Sequence, residues 1–341
     1  SEFEALIQSI QDRLSPNQLS HALLIASKFK LAKGDHAGEL RFLRESLTLS
    51  PDNLQSLEAL AIHYRDVLHD YPSSIKIFSG LADQGSAEAL AELSHSRLRA
   101  CDWSNYLADL SSLGTREDIE TCKAVCNPIV MLAHTLDPEM QDSYGKIFCA
   151  STYGALDRNR DMVPPKAGNA LRKIAFLSSD FRDHPIGYLV EDFFAKLLNH
   201  VEITALSCSA IPLDRQTDRL KQNLTHFEDI STWSLSERLD YIRANDFDLL
   251  IDMNGLTKGL DYRLISQIRR DQCCPVYSWL GYPGPMPRGM FDKIILDSML
   301  QVGIPERDWE GYIFLEHCYQ PNNFHRYAKF RTSKVDRESS V

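Results

Sequence analysis

The sequence contains no long hydrophobic run. Nowhere do about 18 consecutive apolar residues occur, the length a membrane-spanning helix needs. Cysteine is sparse, with eight in 341 residues. Cys101, Cys122, Cys126, Cys149, Cys208, Cys273, Cys274 and Cys318 form neither a C-x-x-C pair nor a Cys/His cluster at zinc spacing, so neither a disulfide scaffold nor a zinc module is indicated. Positive charge is in deficit: 37 Lys and Arg stand against 47 Asp and Glu, a net charge of -10. Non-specific nucleic-acid binding needs a basic footprint, and this chain lacks one. No G-x-G-x-x-G follows an apolar run, which argues against a nicotinamide or flavin enzyme. The G-x-S-x-G elbow of serine hydrolases and the Walker spacing of P-loops are also missing. The first residues, Ser1-Glu-Phe-Glu4, lack the basic and apolar regions of a signal peptide. Reduced thiols in a cytoplasmic protein are the expectation.

What is present is a soluble-type composition, 43% hydrophobic and 25% charged, with room for about two domains at roughly 150 residues each. The two halves differ in period. Residues 1–100 read as helices. Leu23, Ala26 and Ser27 precede Gly34, Leu43, Ser46 and Leu47 follow, and Pro51 closes the unit. This is a helix-turn-helix repeat of about 34 residues, loosely of tetratricopeptide type. Leu57, Leu60, Ala61 and Tyr64 open a second copy, continued by Ile75, Ile77 and Phe78, and Ala87, Leu90, Ala91 and Leu93 suggest a degenerate third. An ordinary antiparallel helical domain is the alternative. Residues 101–165 read as a helical connector ending at Pro164-Pro165.

From residue 166 to 318 the period changes. Short apolar runs at 173–180, 202–208, 248–255, 275–280 and 293–297 alternate with helical stretches near 187–199, 214–223, 234–245 and 260–269. Buried strands alternating with helices predict a Rossmann-like parallel sheet. Ligands bind such sheets beyond the carboxyl ends of the strands, so the segments just after the runs are the candidates.

The first segment is Ser178-Ser-Asp-Phe-Arg-Asp-His-Pro-Ile-Gly187. Asp180 and His184 lie four residues apart where a strand opens into a helix. They can serve as an acid–base pair beside a helix start that favours anions. Alternatively, Asp180 caps the helix and His184 packs in the turn. The second is Met253-Asn-Gly-Leu-Thr-Lys-Gly259, where Thr257 and Lys258 offer a donor and a charge between glycines. It reads either as a phosphate or peptide site or as an ordinary turn. The third is Trp279-Leu-Gly-Tyr-Pro-Gly-Pro-Met-Pro-Arg-Gly289, a stiff loop whose glycines permit close backbone approach. Asp246-Phe-Asp248 has the D-x-D form of metal-dependent sugar transferases but abuts a buried run, and reads as coincidence.

Taken in order, Ser178-Ser-Asp-Phe…His184-Pro185, Met253-Asn-Gly-Leu-Thr-Lys-Gly259, Trp279-Leu-Gly-Tyr-Pro-Gly284 and Cys318-Tyr-Gln-Pro-Asn322 resemble the protein O-linked N-acetylglucosamine transferases, glycosyltransferase family 41, in their bacterial form. Cys101-Asp-Trp103 is similar to the segment where the repeats of these enzymes end. The resemblance implies two Rossmann-like lobes in a GT-B arrangement. It implies inverting transfer of a sugar from a UDP-sugar, N-acetylglucosamine above all, to Ser or Thr of a protein, with no cofactor and no metal. His184 would lie at the junction of acceptor and donor, and Asp180 would be one of several proposed proton acceptors. Leu280, Gly281 and Pro283 would wall the sugar pocket, with Pro185 and Tyr282 also among the substrate-binding residues. Thr257 and Lys258 would lie along the acceptor cleft.

The protein acceptor would be held by the repeats and the cleft. UDP would be held mainly by a second lobe, with no nucleic acid and no membrane among the partners. In the family that lobe follows the Cys-Tyr-Gln-Pro-Asn text. Here only residues 323–341 follow it, and 319–341 read as a linker toward a missing lobe. The chain alone is therefore expected to be inactive. A non-catalytic repeat-containing binding module, or a related transferase that adds glucose to Asn, are the alternatives.

Overall fold

The computed structural model describes residues 7, 9, 11–112, 128–132, 137–153, 163, 171–209, 211–257, 259–287, 289–301, 304 and 306–322. The chain divides into two compact units, Ser1–Gly154 and Ala155–Val341.

The first unit is helical. Helices α1 (Pro16–Ala32), α2 (His36–Leu49), α3 (Leu54–Asp66), α4 (Tyr71–Asp83) and α5 (Ala87–Arg99) follow one another with short turns. Each starts on a side chain that accepts from the third helical N–H: Ser15, Asp35, Asn53, Asp70 and Ser86. A cap of this kind satisfies an otherwise orphaned donor and is worth about 1 kcal/mol. Successive helices pack through Leu24, Leu43 and Leu60, and through Ala61, Phe78, Leu81, Ala89 and Leu93.

The seams between these helices are partly polar. Ser20 of α1, Ser46 of α2 and Ser56 of α3 are fully buried. Their hydroxyls meet in sequence, Ser20 to Ser46 and Ser46 to Ser56, each at 2.8 Å, and the Asn53 amide donates to Ser20 Oγ at 2.8 Å. Glu39 and His63 form a second buried contact at 2.9 Å between α2 and α3. Helices α6 (Tyr106–Ser112), α7 (Pro128–Met131) and α8 (Pro138–Tyr153) follow. Parts of the connector expected from the sequence (113–127, 133–136), the Pro164-Pro165 break and residues 323–341 lie outside the described residues.

The second unit is an all-parallel sheet. Among the described residues its strands are β1 (Lys173–Ser178), β2 (Glu202–Ser207), β3 (His226–Asp229), β4 (Leu249–Asp252), β5 (Val276–Trp279), β6 (Lys293–Asp297) and β7 (Tyr312–Leu315). Their order is β3-β2-β1-β4-β5-β6-β7. The apolar runs read from the sequence became β1, β2, β4, β5 and β6, and β3 and β7 extend the sheet at its two edges. In register, Ile174 of β1 stands beside Ile203 of β2 on one side and Leu249 of β4 on the other.

Helices α9 (Pro185–Leu197), α10 (Arg215–Lys221), α11 (Leu235–Asn245) and α12 (Tyr262–Arg270) connect the strands. Phe176, Val190, Phe194, Ile203, Ile251 and Trp279 belong to one core cluster. Phe176 is fully buried, with its ring 4.9 Å from that of Phe194. Truncating such a ring to Ala costs about 3–5 kcal/mol.

Two sets of buried polar contacts flank β5 and β6, one at each end of the strands. The Arg269 guanidinium meets the Asp292 carboxylate at 3.0 Å, and Asp292 also accepts from Val276 N at 2.8 Å and Val163 N at 3.1 Å. The Trp279 indole donates to Tyr319 O at 2.9 Å while Tyr319 N donates to Asp297 at 3.1 Å, which fastens the Cys318–Asn322 segment beside the ends of β5 and β6. The two acids of Asp246-Phe-Asp248 lie between α11 and β4. Asp246 is the left-handed C-cap of α11 (φ 49°), and Asp248 accepts from Arg172 N and Lys173 N.

Candidate functional site

The strand order reverses between β1 and β4, so the crevice at their carboxyl ends is the topological switch point. Three loops meet there, following β1, β4 and β5. They interlock at contacts that only glycine allows. A Cβ on Gly281 would lie 1.9 Å from Met253 O, and one on Gly259 would lie 2.1 Å from Ser179 Oγ. Gly255, at φ +56°, packs on Tyr282 so closely that a Cβ would meet its Cβ at 2.5 Å. Leu280 holds a left-handed conformation (φ 79°) without being glycine, a geometry that costs about 1–3 kcal/mol and persists only where surrounding contacts impose it.

The loop after β1 carries Asp180 and His184. Asp180 N donates to Ser178 Oγ at 3.0 Å, and Arg182 donates to Asp180 Oδ1 at 3.1 Å. Helix α10 supports this loop from outside. Asp214 Oδ2 accepts from Asp183 N at 2.6 Å, Thr217 Oγ1 donates to Phe181 O at 2.7 Å, and Gln216 donates to Gly187 O at 3.1 Å. Burial works against ionisation of Asp214, but the N–H groups of Asp183, Thr217 and Gln216 outweigh it and hold this carboxyl below its ordinary range.

The N-cap of α9 is His184, not Asp180. His184 is extended (φ -155°, ψ 151°), and its Nδ1 accepts from Ile186 N at 3.3 Å. Pro185 explains this, because the residue before a proline is pushed out of the helical region into the conformation a cap needs. Asp180 Oδ2 lies 3.8 Å from the same Nδ1, beyond hydrogen-bond reach. With Nδ1 accepting, the neutral ring carries its proton on Nε2. Burial lowers the His184 pKa, Asp180 pulls it upward and Arg182 pushes it further down, with a net shift below the ordinary value. Near neutral pH His184 is thus an uncharged donor at Nε2.

Of the other residues read from the sequence, Pro185 is exposed at the first turn of α9 and Thr257 lies in the β4 loop, accepting from Gly259 N at 3.4 Å. Leu280 and Tyr282 are buried, Gly281 is half-buried and Pro283 is exposed in the β5 loop. Lys258 lies outside the described residues.

Sequence reasoning missed the side chains that join the loops. Asp252 ends β4 fully buried, accepting from Gly255 N at 2.7 Å and from Asn254 Nδ2 at 3.1 Å. Burial pushes its pKa up to about 7 despite these donors, and nearby Asp261 adds to the rise. Asn254 Oδ1 in turn accepts from Ser179 N at 2.9 Å and Ser179 Oγ at 3.1 Å. The available signal was an acid closing the apolar run Leu249-Leu-Ile251. Asp214, Gln216 and Thr217 gave none, standing some thirty positions along the chain from the loop they hold. Among the described residues, no group of three or more His, Cys, Asp or Glu side chains is arranged to hold a metal ion, and no helix is long and apolar enough to cross a membrane.

The family model described as glycosyl transferase family 41 matches residues 155–320. A probable UDP-N-acetylglucosamine–peptide N-acetylglucosaminyltransferase, SEC of Arabidopsis thaliana, is 23% identical over 251 residues, covering 68% of this chain and 25% of that protein. The solved structure of a mutant O-GlcNAc transferase from Thermobaculum terrenum superposes with a TM-score of 0.64 at 19% identity, covering 89% of this chain and 58% of that one. The chain therefore spans about a quarter of the curated relative and somewhat over half of the solved one. The likeness in fold bears out the expected helical repeats followed by a Rossmann-like lobe. Residues 155–320 thus match the glycosyltransferase family 41 model, and the chain is similar in sequence and fold to O-GlcNAc transferases.

Proposed function

We propose that this chain is the repeat-bearing, acceptor-side part of an inverting protein O-glycosyltransferase that works in the cytoplasm. It moves N-acetylglucosamine from its UDP-sugar to a Ser or Thr hydroxyl without a metal or other cofactor. The observation that carries this reading is the interlocking of the β1, β4 and β5 loops at the switch point of a lobe that matches the family. In the reaction, the acceptor oxygen bonds to the anomeric carbon while the bond to the UDP oxygen breaks. The hydroxyl proton passes to a base, and the charge leaves on the diphosphate. Most of the acceleration comes from orienting the hydroxyl and stabilising the departing charge.

Asp180 is the proposed base, through the Oδ2 not engaged by Arg182. His184 acts as a donor from Nε2 toward the reacting groups. Pro185, Leu280, Gly281, Tyr282 and Pro283 shape the sugar pocket, and Thr257 and Lys258 line the acceptor cleft. UDP is held mainly by a second lobe of the kind the family resemblance implies.

The test is transfer by the protein encoded by the full reading frame. It is offered UDP-N-acetylglucosamine or UDP-glucose with peptides carrying Ser, Thr or Asn, with and without EDTA, and products are read by mass spectrometry. The expected product is an N-acetylhexosamine on Ser or Thr, undiminished by EDTA. Glucose on Asn, or peptide binding with no transfer from either donor, overturns the proposal. His184→Ala is expected to lower turnover about 10²-fold or more in a folded protein, and unchanged turnover removes His184 from the mechanism.

A further inference from the structure

The loop bearing Asp180 and His184 is anchored from within the sheet by a pair of side chains that themselves touch no exposed surface. Asp252 is 0% exposed and Asn254 is 1% exposed. The Asp252 carboxylate accepts from Gly255 N at 2.7 Å and Asn254 N at 3.3 Å on one oxygen, and from Asn254 Nδ2 at 3.1 Å on the other. Since Asn254 turns its NH2 to the carboxylate, its Oδ1 faces away and takes both Ser179 donors, N at 2.9 Å and Oγ at 3.1 Å. The amide is thus oriented by its partners rather than free to flip. The surroundings are shaped around this chain of contacts: a Cβ on Gly259 would lie 2.7 Å from Asn254 Oδ1, and one on Gly281 would lie 2.9 Å from Asn254 Cα. Ser179 is the residue immediately before Asp180. With Asp183 N held by Asp214, the loop is fixed on both sides of Asp180.

We propose that Asp252 and Asn254 are positioning residues for the reacting loop: the acid orients the amide, and the amide fixes Ser179, Asp180 and His184 in register with the β4 and β5 loops. The functional consequence rests on the glycosyl-transfer reading, while the placement itself does not. Exchanging the two residue types supplies a sharp test, because donor and acceptor roles stay complementary. In Asp252→Asn/Asn254→Asp, the amide oxygen at position 252 accepts from the two backbone N–H groups and its NH2 donates to the carboxylate at 254. The other carboxylate oxygen still receives both Ser179 donors. In Asp252→Asn alone, two amides face each other and Asn254 must turn its NH2 toward Ser179 N–H.

The experiment compares wild type, Asn254→Ala, Asp252→Asn and the exchanged pair as full chains. Readouts are hydrogen exchange of the Ser179 amide and the pH titration of the His184 ring, both by NMR. Asn254→Ala and Asp252→Asn are expected to speed Ser179 exchange by about tenfold, the loss of one to two hydrogen bonds. They should also move the His184 midpoint upward, toward that of a free imidazole, and the exchanged pair should return both values close to wild type. Folded single variants with unchanged exchange and titration, or an exchanged pair no better than Asp252→Asn, overturn the proposal. If Asn254→Ala does not fold, the comparison of Asp252→Asn with the exchanged pair decides. Turnover of the full-reading-frame protein should follow the same order, falling in kcat more than in KM. A wild type with no transferase activity refutes the proposed function, while the NMR readouts still judge the anchoring.

Discussion

Replacing Asp252 by Asn should change how the stability of the second unit responds to pH, because the native protein keeps a proton there that the unfolded chain gives up. Burial raises this carboxyl from 3.8 to about 7. Between those values the native state holds one more proton than the unfolded state, so each pH unit gained removes about 1.4 kcal/mol of stability. The contribution is fully present below about pH 4 and is lost by about pH 7, a total of roughly 4 kcal/mol. Asp252→Asn has no such proton to lose.

Urea unfolding followed by tryptophan fluorescence, which reports on Trp233, Trp279 and Trp309 of this unit, would be run from pH 5 to pH 8 on both proteins. The wild type should lose about 2–3 kcal/mol relative to the variant over that interval. That equals a midpoint difference of about 1 M at a slope near 2 kcal/mol/M. The constant offset between the proteins depends on how the new amide fits and is not the point. Parallel curves across the range would refute the reasoning, since they would mean that Asp252 ionises alike in the folded and unfolded chains.

Further outcomes can be checked on the same material. Gly281→Ala places a Cβ 1.9 Å from Met253 O, and because the obstacle is backbone it should cost about 3 kcal/mol in chemical denaturation. A loss below about 1 kcal/mol would show that the loops can part. Arg269→Met leaves the buried Asp292 carboxylate without its cation and should cost about 3–5 kcal/mol, read as a lowered melting temperature. Burial pushes the Cys149 and Cys208 thiols up to about 12, whereas Cys101 and Cys318 are exposed. A disulfide reagent at pH 8 should therefore modify Cys101 and Cys318 in the native protein and reach Cys149 and Cys208 only in urea.

The parts of the fold legible in the sequence were those whose physics is local. Lys173-Ile-Ala-Phe-Leu-Ser178 became β1 because a strand buried on both faces leaves an unbroken apolar run. The edge strand His226-Phe-Glu-Asp229 pairs on one side only and carries a single apolar residue, so neither an apolar run nor alternation marked it. Tyr312-Ile-Phe-Leu315 at the opposite edge is an apolar run that does carry a strand signal, short enough to be missed. The helix cap at the site was misjudged because capping preference points to Asp180, whereas Pro185 had already fixed His184 in the extended conformation. Asp252 and Asn254 could not be weighted from the sequence, since their importance lies in a contact with Ser179, seventy-five positions away from Asn254.

The buried hydroxyls between the first three helices bear on how the helical unit can deform. A seam lined with leucine tolerates sliding, because one apolar side chain serves nearly as well as the next. Ser46 meets two hydroxyls at 2.8 Å, and displacing α2 by one helical turn, about 5.4 Å, would leave Ser46 and Ser56 without these partners inside the protein. At about 1–3 kcal/mol for each stranded group, shear along this seam is closed to the molecule. A load applied along the helix axes therefore passes through α1, α2 and α3 together.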